Sequence, residues 1–192
     1  MSDRLYLSCW VRGFQESNML RHYAKLLETF PVSKLTQRAA VLRIHAVEFA
    51  EPPVAERPFP AGSDPGDVLA MAREFMHADC CCELETEWDL WQYEFDWKLR
   101  PVAVRISCLG PAFEGNDGGD HLRIDFGLDS SFLPLPNVEG SLRMQQSNLR
   151  SLLRLVGEIE NALPLERRQL WSESGANFAD LLKQAVGQFG PN

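Results

Sequence analysis

Polar side chains at alternating positions of the predicted strands form the best candidate for a binding site. Arg43, Arg105 and Arg123 each offer a planar guanidinium that matches a carboxylate or phosphate group. A histidine beside a carboxylate can exchange a proton near neutral pH, which adds His45 to the set. The preferred interpretation is cross-strand ion pairs on a solvated face, worth roughly 0.2–1 kcal/mol each. The alternative is a site for a small anion, whose predicted ligand-binding residues are Trp10, Arg43, His45, Glu85, Arg105, Arg123 and Asp125.

A run of aromatic residues alternates with acidic ones over residues 88–97 and forms a second candidate site. Residues 83–96 contain six acids and no base, whereas a nucleic-acid platform would place basic residues between the aromatic ones. Exposed aromatic residues at this density indicate a protein interface or a ligand cleft. The competing interpretation is that they attach a hairpin to the C-terminal helices. The residues predicted for an interface are Trp88, Trp91, Tyr93, Phe95 and Trp97.

The cysteines do not have the pattern of a metal site. Cys80, Cys81 and Cys82 follow His77, but consecutive strand residues point to opposite faces, so at most two of these thiols can converge. We therefore predict no metal and no cofactor, and interpret the cysteines as packing residues. Cys81, on the polar side of its strand, is the one cysteine placed to act as a nucleophile. No phosphate-loop, calcium-loop or hydrolase motif occurs.

Composition indicates a globular cytoplasmic protein. The chain has 192 residues, of which 45% are hydrophobic, and we predict one domain over residues 1–192. A net charge of −8 and a pI of about 5.0 argue against binding to nucleic acid or to an anionic membrane. No apolar run reaches the roughly 20 residues of a membrane helix, and the charged N-terminal residues do not resemble a signal peptide. Five cysteines, three of them adjacent, are unlike a secreted disulfide framework.

Alternating apolar and polar residues predict the strands that position the polar set. The alternation covers residues 4–12, 39–49 and 80–129, the last of which contains three consecutive strands. The phase of the alternation changes near Leu90, which predicts a bulge or an earlier turn. An earlier bulge would move Glu85 to the buried face, so the predicted site depends on where the phase changes.

Helices and irregular segments separate and follow these strands. Residues 50–63 contain four prolines, which predicts a loop or at most an extension of a sheet edge. A short turn is predicted after Pro164. Apolar residues at helical spacing predict helices over residues 18–30, 64–78, 144–162 and 176–188.

The predicted order β-α-β-α-β-β-β, followed by two helices, indicates an α+β two-layer sandwich near the ferredoxin-like arrangement, with a mixed, mostly antiparallel sheet. The last two helices form a predicted C-terminal pair over residues 144–192, and the sequence leaves open whether that pair covers the polar sheet face. The preferred function is a non-catalytic cytoplasmic module that binds a protein partner or itself as a homodimer. The alternative is a small-molecule or anion-binding protein, or an enzyme, that uses the polar face of the sheet.

Overall fold

The computed structural model describes residues 3–135, 138–175 and 177–187, which form seven strands, four α-helices and one short 3₁₀ turn. The predicted helical residues Ala176 and Phe189 lie outside the described residues. The strands are β1 (Arg4–Val11), β2 (Ala40–Ala46), β3 (Ala55–Phe59), β4 (Cys80–Tyr93), β5 (Trp97–Leu109), β6 (Leu122–Leu128) and β7 (Leu165–Ser172). The helices are α1 (Met19–Thr29), α2 (Pro65–Phe75), α3 (Ser141–Ala162) and α4 (Phe178–Gly187), and the 3₁₀ turn is Asp129–Ser131.

One sheet contains all seven of these strands, in the order β3-β2-β4-β5-β6-β1-β7. The α+β class is therefore confirmed. Each of the six pairings is antiparallel, so the prediction of a mixed sheet is wrong. The sequence predicted five of the strands, and the two others form the opposite edges of the sheet.

Both unpredicted strands have sequences that only an edge position tolerates. β3 lies in the proline-rich segment, and an edge strand accommodates Pro58 because one side of the strand needs no ladder donor. β7 was predicted as a short turn, but it pairs with β1 from Leu5–Ser172 to Val11–Leu165. Its central residues are all exposed, so it lacks the alternation that reveals a half-buried strand. β7 also lies between α3 and α4, which the sequence had predicted as a consecutive pair.

The hairpin of β4 and β5 has an unbroken register from Cys81–Leu109 to Tyr93–Trp97. The predicted bulge near Leu90 is therefore wrong, and Leu90 remains on the buried face at 1% exposure. The hairpin extends past the ends of its neighbours, since β2 pairs with β4 only as far as Glu85. From Trp91 onward its outward positions carry aromatic instead of acidic side chains, which produces the apparent change of phase.

The helices pack on one face of the sheet and leave the other open. Buried side chains of α1, α2, α3 and α4 belong to one hydrophobic cluster with the inward side chains of the strands. At its centre, Tyr23 of α1 is fully buried, and its hydroxyl donates to the carbonyl oxygen of Ile106 at 2.8 Å. Charged side chains on the opposite face line open cavities. The described C-terminal helices therefore do not cover the polar face.

Asn148 of α3 attaches the far end of the β4–β5 hairpin to the helical layer. Its side chain is buried, and its amide donates to the carbonyl oxygens of Trp91 at 2.9 Å and Ser131 at 2.7 Å. Its oxygen accepts the backbone N–H of Trp91 at 2.9 Å. The amide thus makes the two bonds to Trp91 that a neighbouring strand would otherwise make.

Replacing Asn148 with Ala should lower the free energy of unfolding by roughly 1–3 kcal/mol, because the backbone groups of Trp91 lose these partners. Urea unfolding followed by tryptophan fluorescence measures the change. The matched control is Gln146→Ala on the exposed side of the same helix, which should change stability by less than about 0.5 kcal/mol. Equal effects of the two replacements would show that Asn148 does not anchor the hairpin.

Candidate binding site on the open sheet face

The strand register brings the predicted polar residues into adjacent rows on the face opposite the helices. Residues paired across neighbouring strands point to the same face, so each row follows directly from the pairing. One row consists of Tyr6, Asp125, Arg105 and Glu85, and the next consists of Ser8, Arg123, Ser107, Glu83 and Arg43.

These rows line an open cavity of about 490 Å³. Six of the seven predicted ligand-binding residues line this cavity, and the seventh, Trp10, lies on the same sheet face because it is in phase with Tyr6 and Ser8. Those that line the cavity are Arg43, His45, Glu85, Arg105, Arg123 and Asp125.

Trp10 lies instead beside a neighbouring cavity of about 350 Å³, where its ring packs against the guanidinium of Arg167 at 4.3 Å. The main cavity also has wall residues that were not among the candidates. Three of them occupy outward positions of predicted strands, so the alternation could have identified them. The fourth, in the loop after β2, has no signal in the sequence pattern. These residues are Tyr6, Glu83, Ser107 and Phe49.

The three arginines of the 490 Å³ cavity differ in how many hydrogen bonds their guanidinium groups make to carboxylates. Arg43 donates to two carboxylates, at 2.7 and 2.9 Å. Arg123 makes two bonds to Asp120, at 2.8 and 2.6 Å. Among the described residues, Arg105 has one carboxylate within 4 Å, that of Glu85 at 3.8 Å, which is too long for a hydrogen bond. Among the described residues, Arg105 is therefore the arginine of this cavity whose donors remain free for a ligand.

Two titratable side chains of the cavity lack polar partners. His45 is 9% exposed, its ring packs edge-on against Phe49, and its Nδ1 atom has no hydrogen-bond partner within the described chain. Glu83 forms no ion pair with any described residue, and burial raises its pKa although Arg105 opposes the shift. Buried polar groups normally have partners, so a bound molecule or water would complete the hydrogen bonding of His45.

The cysteines do not provide a nucleophile on this face. Cys81 is fully buried against Leu109 and Phe113, and burial raises its pKa well above the usual value. A thiol in such surroundings stays protonated and unreactive, so the prediction that Cys81 is placed to react is wrong. Over residues 3–135, 138–175 and 177–187, no group of three histidine, cysteine, aspartate or glutamate side chains could hold a metal ion.

The aromatic residues predicted for an interface fall into three environments. Trp88 belongs to the hydrophobic core at 5% exposure, so it is not available for a surface contact. Trp91 and Trp97 are half-buried, and the indole of Trp97 donates to a backbone carbonyl of the segment before α3 at 2.8 Å. Tyr93 and Phe95, at the tip of the hairpin, are 42% and 96% exposed. Of the five, Phe95 exposes nearly its whole side chain and Tyr93 somewhat less than half.

No protein-family model, curated protein or solved structure matches the chain. Within the described ranges, no helix is both long enough and apolar enough to cross a membrane. A function for the open face must therefore be argued from the geometry of the face itself.

Replacing Glu83 with Gln should raise the free energy of unfolding at neutral pH, because it removes a charge that burial disfavours and keeps the side chain's shape. Folding raises the pKa of Glu83, so the ionised carboxylate destabilises the protein above that raised pKa. Below the ordinary range of glutamate the folded and unfolded chains are both protonated, and the difference disappears. Urea unfolding from about pH 7 to about pH 4 measures the effect.

Glu85→Gln is the matched control for this prediction. Glu85 accepts a hydrogen bond from Arg43 at 2.9 Å, so its replacement removes an ion pair and should not stabilise the protein. If Glu83→Gln lowered stability as Glu85→Gln does, the charge on Glu83 would not be disfavoured.

Proposed function

We propose that the chain is a small-molecule-binding protein whose ligand carries a carboxylate or phosphate group and occupies the 490 Å³ cavity. The observation that carries this proposal is the Nδ1 atom of His45, which is buried without a partner in the wall of the cavity. The proposal puts first the function that the sequence offered as the alternative. The geometry supports it because the polar face is open and six of its seven candidate residues share one cavity.

Arg105 supplies the anchor for the anionic group. Its guanidinium can make two parallel bonds to a carboxylate or phosphate, and no short bond within the described residues has to break first. Ser107, two residues along the same strand, adds a buried hydroxyl on the same face. His45 reaches the cavity from β2 and offers a hydrogen bond to a second polar group of the ligand.

The charges around the cavity make binding sensitive to pH. Three arginines and three carboxylates line it, so their charges balance while Glu83 is ionised. Because burial raises the pKa of Glu83, a proton can be taken up there at a higher pH than by an ordinary glutamate. Protonation leaves a net positive cavity, and anion binding should therefore strengthen as pH falls.

Arg105→Gln should weaken binding of inorganic phosphate or succinate by about tenfold or more, because a charged hydrogen bond contributes roughly 1.5–3 kcal/mol. Isothermal titration calorimetry measures the affinities. The matched control is Arg100→Gln on the same strand, since Arg100 pairs with Glu94 outside the cavity and should not affect binding. Equal losses in both variants, or no binding of either probe at about 10 mM, would contradict the proposal.

A second function is favoured by the exposed tip of the β4–β5 hairpin. Phe95 is 96% exposed, and Tyr93 and Leu99 beside it are each 42% exposed. Large apolar side chains grouped in this way mark interaction surfaces. We propose the tip as the place where a second copy of the chain binds.

Phe95→Ser should shift the chain from dimer to monomer in size-exclusion chromatography with light scattering, because it removes the most exposed apolar side chain of the tip. Leu153→Ser on α3 is the control, since Leu153 is 55% exposed but lies away from the hairpin. A wild-type chain that remains monomeric at about 100 μM would contradict the proposal that a second copy binds at the tip.

The remaining expectations stay proposals based on the sequence. A cytoplasmic location follows from the cysteine content, and the acidic pI disfavours nucleic-acid and anionic-membrane partners. A relationship to ferredoxin-like proteins stays a prediction from the order of the elements.

A further inference from the structure

The cavity of the open face has two opposite charges in its wall that do not contact each other. Arg105 of β5 has no carboxylate within hydrogen-bond distance, and Glu83 of β4 makes no ion pair with any described residue. The register pairs Glu83 with Ser107, two residues along the strand from Arg105, so Glu83 and Arg105 are diagonal neighbours on one face. The wall therefore presents a cation and an anion close together, each without a short partner of opposite charge.

A second acceptor without a donor lies on the other side of Glu83. The register pairs Arg43 of β2 with Glu83, so His45, two residues further along β2, is diagonal to the same carboxylate. The Nδ1 atom of His45 is buried without a partner in the described chain, and a neutral imidazole nitrogen can accept a hydrogen bond. A carboxylate and an imidazole nitrogen together suit a group that carries several N–H donors and a positive charge.

We propose that the ligand of this cavity is an amino acid, whose carboxylate binds Arg105 and whose ammonium group donates to Glu83 and to Nδ1 of His45. Because an α-amino acid carries both charged groups on one carbon atom, it can bridge side chains that are diagonal neighbours. The rings of Tyr6 and Phe49 line the same cavity and offer a surface for the side chain of the ligand. The inference rests on the anion site proposed above and adds the cationic half of the ligand.

The ionisation of Glu83 separates an amino acid from a simple anion. Burial raises the pKa of Glu83, and the charged or titratable groups around it are Arg105, His45, Arg43 and Glu85. Above the raised pKa the carboxylate is ionised and attracts an ammonium group, and below it this attraction is lost. Protonation of His45 removes its acceptor and acts in the same direction. The preference for an amino acid over a simple anion should therefore decrease as pH falls.

The test compares three probes that share a phenyl ring and differ in their charged groups: phenylalanine, 3-phenylpropanoate and 2-phenylethylamine. Ligand-observed NMR titrations at about pH 7 should show phenylalanine binding about tenfold more tightly than either of the others. Glu83→Gln should lower the affinity for phenylalanine to that of 3-phenylpropanoate. That replacement is expected to stabilise the fold, so the loss would not reflect unfolding. Arg105→Gln should weaken binding of both probes that carry a carboxylate.

Glu87→Gln is the matched control. Glu87 faces the same side of the sheet from the same strand, but it accepts a hydrogen bond from Thr36 and does not line this cavity. Its replacement should leave the affinity for phenylalanine unchanged.

The inference is overturned if phenylalanine binds no more tightly than either of the other probes, or if its preference survives Glu83→Gln or is lost equally in Glu87→Gln. In each of these cases, binding of 3-phenylpropanoate that depends on Arg105 would leave the anion site standing. If none of the three probes binds at about 10 mM, the inference and the anion site both fail.

Discussion

The unbroken register between β4 and β5 is the constraint on which the rest of the structure depends. A slip by one residue would exchange the two faces, because successive side chains of a strand point in opposite directions. With the observed register, Leu84 and Leu90 enter the core, while Glu83 and Glu85 face the open cavity. The same alternation along the other strands gathers the arginines and acids of the open face. One hairpin thus supplies both the centre of the core and the centre of the candidate site.

The open face combines charges that stabilise the sheet with charges that do not. Arg43 is bonded at short distances to carboxylates of both strands that flank β2, and Arg123 is bonded to Asp120 in the loop before β6. Arg105, Glu83 and His45 lack short partners among the described residues although they line the same cavity. Buried groups without partners cost stability, and proteins commonly retain that cost where a ligand binds. The charged face is therefore not a complete network of ion pairs, because some of its side chains lack short partners among the described residues.

How much could be predicted from the sequence differs between the centre of the sheet and its edges. Central strands such as β1 and β2 are buried on one face, so their alternation was visible and gave most of the candidate site. The edge strands β3 and β7 are exposed through their central residues and carry no such pattern. Phe49 reaches the site from the loop after β2. Its position depends on tertiary packing, which leaves no periodic pattern in the sequence. Trp88 is in phase with Leu84 and Leu90, so the alternation itself indicated a buried position; grouping it with the exposed aromatic run by composition assigned it wrongly to a surface.

The most direct test of the central claim is to observe the side-chain nitrogens of His45 by ¹⁵N NMR during titration with phosphate or succinate. We predict that the Nδ1 resonance of His45 shifts and saturates with the bound fraction, because the ligand supplies the missing hydrogen bond. His77, whose side chain is 73% exposed, is the internal reference. Its resonances should move only as far as changes in the bulk solution during the titration move them. If the probe binds while the resonances of His45 stay unchanged, or if neither probe binds, the open cavity is not the ligand site proposed here.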